Sequence, residues 1–115
     1  MQIIDNDKFL DEDIFNQYIE MVGKEKYQKI IQMFIDDINA RIANIVLSYD
    51  NNDNETLTRE IHTLKSVSYT IGGNKLGNIS KSLEEKSINK GITKSELDEY
   101  KEIVERFLKI INDKR

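Results

Sequence analysis

Proline is absent from all 115 residues, and that constrains the fold more than any other feature of the chain. Proline fixes φ and removes a backbone donor, so a chain without it meets no covalent obstacle to continuous helix. The apolar residues recur at spacings of three and four and do not alternate, which is the helical period. An all-α fold is therefore expected. Hydrophobic residues make up 38% of the chain and charged residues 33%, enough apolar side chain for one core if it is gathered on helix faces. Two domains of this combined length would each be short of interior, so residues 1–115 are expected to form a single domain.

Five helices can be placed from periodicity and end signals. The first is short, from about Asp11 to Val22, with Asp11, Glu12 and Asp13 at the positive end of its dipole and Gly23 at its exit. A long second helix starts near Lys24 and runs to about Tyr49, with Tyr27, Ile30, Ile31, Phe34, Ile38, Ile42, Ile45 and Tyr49 along one stripe. Asp50-Asn51-Asn52-Asp53-Asn54 supplies turn formers and N-cap side chains for a tight reversal. The third helix follows from about Asp53 to Ile71 and stops at Gly72-Gly73. Asn74 is the expected N-cap of a fourth helix that reaches about Asn89 and is closed by Gly91. Thr93 and Glu96 have capping-box spacing, and Leu97, Tyr100, Val104, Phe107, Leu108 and Ile111 form the stripe of a fifth helix. Four long segments joined by short loops predict an up-down-up-down four-helix bundle, with the additional short N-terminal helix packed over one end.

Composition excludes several functions. Cysteine is absent, which removes disulfides and thiolate metal sites, and the N-terminus lacks the basic flank and apolar stretch of a secretion signal. No apolar run approaches the roughly 20 residues needed to span a bilayer. A cytoplasmic, membrane-free location is expected. A formal net charge of -4 disfavours nucleic acid as a partner, because that binding rests on many Lys and Arg contacts to phosphate. Other proteins are the expected partners.

His62 is the one histidine of the chain. Leu57, Ile61, Leu64, Ser68 and Ile71 share a face of the third helix, and at about 100° per residue His62 falls roughly 140° from its centre. His62 is expected to point outward. Its surface neighbours are Thr58, Arg59, Lys65 and Ser66, with Tyr69 a turn further on. A solvated imidazole ordinarily titrates near about 6.5 and is largely neutral at pH 7, so its lone pair can attack phosphorus. Lys65, one turn along, can neutralise the resulting anion, and the small Ser66 leaves room for a bulky phosphoryl donor. From spacing alone, an ordinary surface histidine beside a lysine stays open as the plainer reading. A metal site is disfavoured: Arg59 stands where a Glu-x-x-His pair needs its carboxylate, and no second histidine exists.

The segment Ile61-His62-Thr63-Leu64-Lys65-Ser66, with Ile71-Gly72-Gly73-Asn74-Lys75-Leu76 and later Leu83-Glu84, resembles the signature of the histidine-containing phosphotransfer (HPt) domain family. The family pattern is His, Lys three later, Gly or Ser next, Gly ten after the His, Leu four beyond it, and a Leu-Glu or similar pair in the next helix. Met33-Phe34-Ile35-Asp36 is similar to the family's second helix, so the resemblance spans most of residues 11–111. Ile61, Ser66 and Gly73 stand where a small residue, Gly and Ala are commoner. The resemblance implies His62 as the phospho-acceptor, Lys65 as its electrostatic partner and Ser66 as the small neighbour. It also implies Gly72, beside Gly73, as the sharp turn and Glu84 as a polar group that orients the imidazole. Tyr69 is a candidate for a partner-facing patch, and Lys75, Lys81 and Lys86 for docking to acidic surfaces.

By the same resemblance the chain is a monomeric phosphocarrier in two-component signal transduction. It would accept a phosphoryl group on His62 from a receiver-domain aspartate and pass it reversibly to another. Its partners would be the receiver domains of a hybrid sensor kinase and a response regulator. It would bind no cofactor or metal of its own, with Mg²⁺ carried by the partner receiver. No phosphate-binding loop motif is present, so no kinase or ATPase activity is expected. The alternative is a helical adaptor that binds a receiver without being phosphorylated. The helical periodicity predicts a far-UV circular dichroism spectrum dominated by helix, and a strand-dominated spectrum would contradict the assignment at its root.

Overall fold

Side-chain caps and glycine turns set the helix boundaries. The computed structural model describes residues 9–115. Five α-helices occur among them: α1 Glu12–Val22, α2 Tyr27–Asp50, α3 Asn54–Thr70, α4 Asn74–Ile88 and α5 Lys94–Asn112. One 3-10 turn, Lys24–Lys26, precedes α2, and no strand occurs among the described residues. The carboxylate of Asp11 caps α1 by accepting from the N–H groups of Asp13 (3.1 Å) and Ile14 (3.2 Å). Asp53 caps α3 through the Thr56 N–H at 3.2 Å. Both halves of the Thr93–Glu96 capping box are present at the start of α5.

Three boundaries differ from the sequence expectation. The long helix α2 begins at Tyr27, after Gly23 (φ +105°) and the 3-10 turn, because no side chain caps the intervening residues. Asn74 is the first residue of α4 and not its cap; Gly73 holds the cap position, and the Gly72 carbonyl takes the Asn74 N–H at 2.9 Å. Closure of α4 is shared between two residues. Lys90 adopts the left-handed conformation (φ 55°), and this turns the Gly91 N–H back onto the Lys86 carbonyl at 2.8 Å.

The four long helices pack in the cyclic order α2, α3, α4, α5 and back to α2, and α1 lies against α3. Their inward faces supply the core: Ile31, Ile38 and Ile45 of α2, Leu57, Ile61 and Leu64 of α3, Leu76 and Leu83 of α4, and Leu97, Tyr100, Val104, Phe107 and Ile111 of α5. Phe34 and Tyr49 pack at its edge, half-buried. Ahead of α1, Phe9 is wholly buried, with Lys75 Nζ and the Arg106 guanidinium over its ring at 4.6 and 4.7 Å. Tyr100 shares a buried hydroxyl hydrogen bond of 2.7 Å with Ser80, and burial pushes its phenol well above the ordinary range. Arg41 of α2 clasps the buried Glu60 of α3 at 3.1 Å.

The α3–α4 turn admits no side chain. Gly72 has φ +87°, and a Cβ there would lie 2.6 Å from the backbone oxygen of Asp11. Its carbonyl accepts the Asp11 N–H at 2.7 Å, so the turn is also the seat of α1. At Gly73 a Cβ would come within 2.6 Å of Phe107 Cζ. Gly72→Ala is expected to cost about 1–3 kcal/mol, because a left-handed non-glycine residue is strained and the backbone it would strike cannot move aside. Urea unfolding measures this, and a change within about 0.5 kcal/mol would contradict the packing described.

Candidate functional site

Along the α3–α4 interface, successive turns of α3 present polar side chains that pair with α4 in descending residue order. Asn54 Nδ2 donates to the Ser87 carbonyl at 2.7 Å, and the Thr58 and Ser87 hydroxyls share a 2.8 Å hydrogen bond. His62 Nδ1 lies 2.7 Å from Glu84 Oε2, and Lys65 Nζ donates to Glu84 Oε1 at 2.7 Å. Further along, Tyr69 Oη donates to Asn78 Oδ1 at 2.5 Å. The i, i+4, i+8, i+11, i+15 spacing of these α3 residues is one helical stripe, the geometry that lets adjacent turns meet one neighbour.

The centre of this seam is the Glu84 carboxylate, each of whose oxygens takes one donor. The Lys65 ammonium, and after it His62, hold the carboxyl below the usual glutamate range, against the opposing effect of burial. Glu84 is thereby kept ionised, and an ionised carboxylate only accepts. The proton of a neutral His62 ring is accordingly assigned to Nδ1, which leaves the lone pair on Nε2. Nε2 makes no hydrogen bond among the described residues. The two side chains differ in exposure, 58% for His62 against 18% for Glu84, so a sheltered acceptor holds an accessible ring.

The structure brings His62, Lys65 and Glu84 together. Lys65 sits on Glu84 at the Nδ1 side of the ring, a pairing across helices that spacing along α3 does not report. Ser66 is exposed on the same helix, and Gly72 and Gly73 form the turn that carries the chain from α3 into α4. Tyr69 is half-buried, its ring over Gly77, where a Cβ would meet Tyr69 Cε1 at 2.5 Å. Its visible role is therefore to join α3 to α4. Of the three α4 lysines singled out, Lys75 covers Phe9 and Lys86 pairs with Glu96, whereas Lys81 is exposed.

Two contributors escaped the sequence reading. Glu60 is three after Leu57 and four before Leu64, so it belongs to the apolar stripe, and a carboxylate there signals a cation brought from another helix; Arg41 is that cation. Gly77 carries no such signal, since its need for glycine arises only when Tyr69 lies across it. No group of three or more His, Asp or Glu side chains able to hold a metal ion is found among the described residues. No described helix is long and apolar enough to cross a membrane.

The family model for the Hpt domain matches residues 29–110. The chain belongs to the Hpt domain family. Hpt domains are phosphotransfer intermediates of phosphorelay signalling, and this chain is one of them. Among solved structures it is similar to the crystal structure of histidine-containing phosphotransfer protein B (HptB) from Pseudomonas aeruginosa PAO1. The TM-score is 0.84 and the identity 18%, over 92% of this chain and 93% of that one. At that identity the likeness is one of fold. No curated protein matches the chain.

The Hpt domain's Glu84 also gives a pH signature. Its folded pKa is depressed, so its stabilising contribution is fully present above the unfolded-state pKa and is lost as pH falls through the folded one. Glu84→Gln is expected to lower thermal stability at neutral pH, with the difference from the native protein shrinking in the acid range. Melting curves from neutral to acid pH check this; a difference that grew on acidification would contradict the ion-pair geometry.

Proposed function

We propose that Nε2 of His62 is the phosphoryl-accepting atom of this Hpt domain, and the observation that carries the proposal is the Nδ1–Glu84 hydrogen bond on an exposed ring. That bond fixes the tautomer and leaves the outward nitrogen as the nucleophile. The lone pair of Nε2 attacks the phosphorus of an aspartyl phosphate, the bond to the carboxylate oxygen breaks, and the aspartate leaves with that electron pair. Transfer to a second aspartate is the reverse of the same step. Glu84 orients the ring, Lys65 offsets the negative charge of the phosphoryl group, and Ser66 leaves the approach open.

In this reading the chain is a phosphocarrier with no kinase or ATPase activity of its own, serving receiver domains of a hybrid sensor kinase and a response regulator. The receiver brings the acidic pocket and the Mg²⁺ that stabilises the transferring group, while this protein contributes a nucleophile on a rigid element. A monomeric cytoplasmic domain spanning residues 1–115 suits a shuttle that must release each partner. The four long helices would alternate in direction, up-down-up-down, which the short connections and the descending order of α3–α4 pairs support. An adaptor that docks without accepting phosphate would have no use for an accessible, tautomer-fixed nitrogen.

His62→Gln is expected to abolish labelling by an acetyl-phosphate-charged receiver domain while leaving fold and receiver binding near native. The glutamine amide can still donate to Glu84, and substitutions on an exposed face usually change stability by about 0.5 kcal/mol or less. Lys65→Ala should accept phosphate more slowly, or hold it less stably, without losing the nucleophile. The decisive measurement is acid-labile, alkali-stable label on the chain, with thermal unfolding and receiver binding followed in parallel. Labelling of His62→Gln at the native rate would refute the assignment.

A further inference from the structure

The outward face of α2 carries apolar side chains that the fold leaves uncovered. Among the described residues the exposed large hydrophobics are Met21, Met33, Leu47 and Ile88. Met21 and Ile88 stand singly near the ends of α1 and α4, as scattered surface hydrophobics commonly do. Met33 and Leu47 lie on one helix, 67% and 60% exposed, and with Ala40 between them they stand at heptad spacing. Heptad positions keep to one side of a helix, and this side is the reverse of the core face formed by Ile31, Ile38 and Ile45. Lys29, Asp36, Ala43, Asn44 and Asp50 are exposed around it.

We propose that this face pairs with the same face of a second copy of the chain, the two α2 helices running antiparallel about a two-fold axis at Ala40. Such an interface must be self-complementary, each residue meeting a fitting partner and only the axial residue meeting itself. With Ala40 on the axis, Met33 of one copy faces Leu47 of the other, twice over. The small axial side chain lets the two backbones approach closely. Asp36 faces Asn44, a carboxylate opposite an amide donor; Gln32 of its own helix occupies one Asp36 oxygen, and the other is open to the second copy. Lys29 comes level with Asp50, so an ion pair closes each end. Among the described residues neither Lys29 nor Asp50 is ion-paired within its own chain. A parallel pair would instead set Lys29 on Lys29 and Asp50 on Asp50. Charge therefore selects the antiparallel second copy.

One helix face buries well under the roughly 1,200–2,000 Å² of a stable interface. The pairing is accordingly weak, and the dilute chain shuttles as a monomer. Where two copies are tethered to a two-fold partner by short linkers, their effective concentration reaches the millimolar range, and the pair forms. His62 stays accessible in it. The ring lies on the α4 side of α3, whereas α2 grips α3 from the other side through Arg41 and Glu60, so both acceptor rings of a pair remain open.

The full chain, labelled with ¹⁵N, tests the proposal in solution. Amide signals along the outward face of residues 29–50 should move as protein is raised from about 0.05 to 2 mM, with sedimentation passing from monomer toward dimer over the same range. Leu47→Lys should raise the concentration of half-association by about tenfold or more, since two buried leucine contacts are lost per pair. Lys29→Asp and Asp50→Lys should each weaken association several-fold, because each sets like charges opposite one another. An equimolar mixture of these two variants should regain native association, as both ion pairs re-form with the signs reversed. Folding is not at stake in either, because an acid in the first turn of a helix and a base in its last suit the dipole. Signals that stay fixed up to about 2 mM, movement confined to another face, or a mixture that associates no better than its components would overturn the proposal. Leu47→Lys should still take label from a charged receiver domain at the native rate; a slower rate would give this face to the receiver and overturn the pairing of copies.

Discussion

Glu84 lies where α3 and α4 meet, and among the described residues its carboxylate is the one group hydrogen-bonded to both the imidazole and the lysine of the site. An ionised side chain this sheltered is tolerated only if its oxygens are satisfied, and here each has one donor from α3. The requirement works in both directions. Glu84 needs α3 in register to remain charged, and His62 needs Glu84 in place to have a defined tautomer. Packing of the two helices and chemistry of the ring are consequently one constraint.

That constraint is met because the seam is built from short or flat residues. Gly77 lets the Tyr69 ring lie on the backbone of α4, and Ser87 takes hydrogen bonds from Asn54 and Thr58 at the other end. Each pair alone is worth little, on the order of 1 kcal/mol net for a hydrogen bond. Their value here is positional, since a slip of one residue would break all of them together. On the opposite flank of α3 the Arg41–Glu60 clasp ties the same helix to α2. The helix that carries His62 is thus held on two sides while its third side stays open.

The fold was largely legible because proline is absent and the apolar stripes are long: the residues expected to share the inner face of α3, from Leu57 to Ile71, are all buried. Helix ends were less so. Asn74 and Gly91 have the chemistry of a cap and a closing residue, yet Gly73 and Lys90 take those conformations, because the choice depends on where Phe107 and the α4 carbonyls lie in three dimensions. At the site, the outward direction of His62 followed from its angle on the helix. The pairing of Lys65 with Glu84 did not, because helical spacing reports neighbours within an element and says nothing of what the facing helix brings. Tyr69 and Lys75 show the same limit from the other side, since each has a partner in the fold that its sequence neighbours do not betray.

The Gly72 carbonyl accepts from two chain segments, the Asn74 N–H that opens α4 and the Asp11 N–H that precedes α1. The first contact closes a local turn; the second closes a loop of about 60 residues, whose entropic cost grows with the logarithm of its length. Contacts of short sequence separation form sooner than distant ones. The α3–α4 hairpin, with His62, Lys65 and Glu84 already on it, can accordingly assemble first, and α1 finds its seat only once that turn exists. In a nascent or refolding chain, the reactive face would take shape before the N-terminal helix arrives to lock the turn behind it.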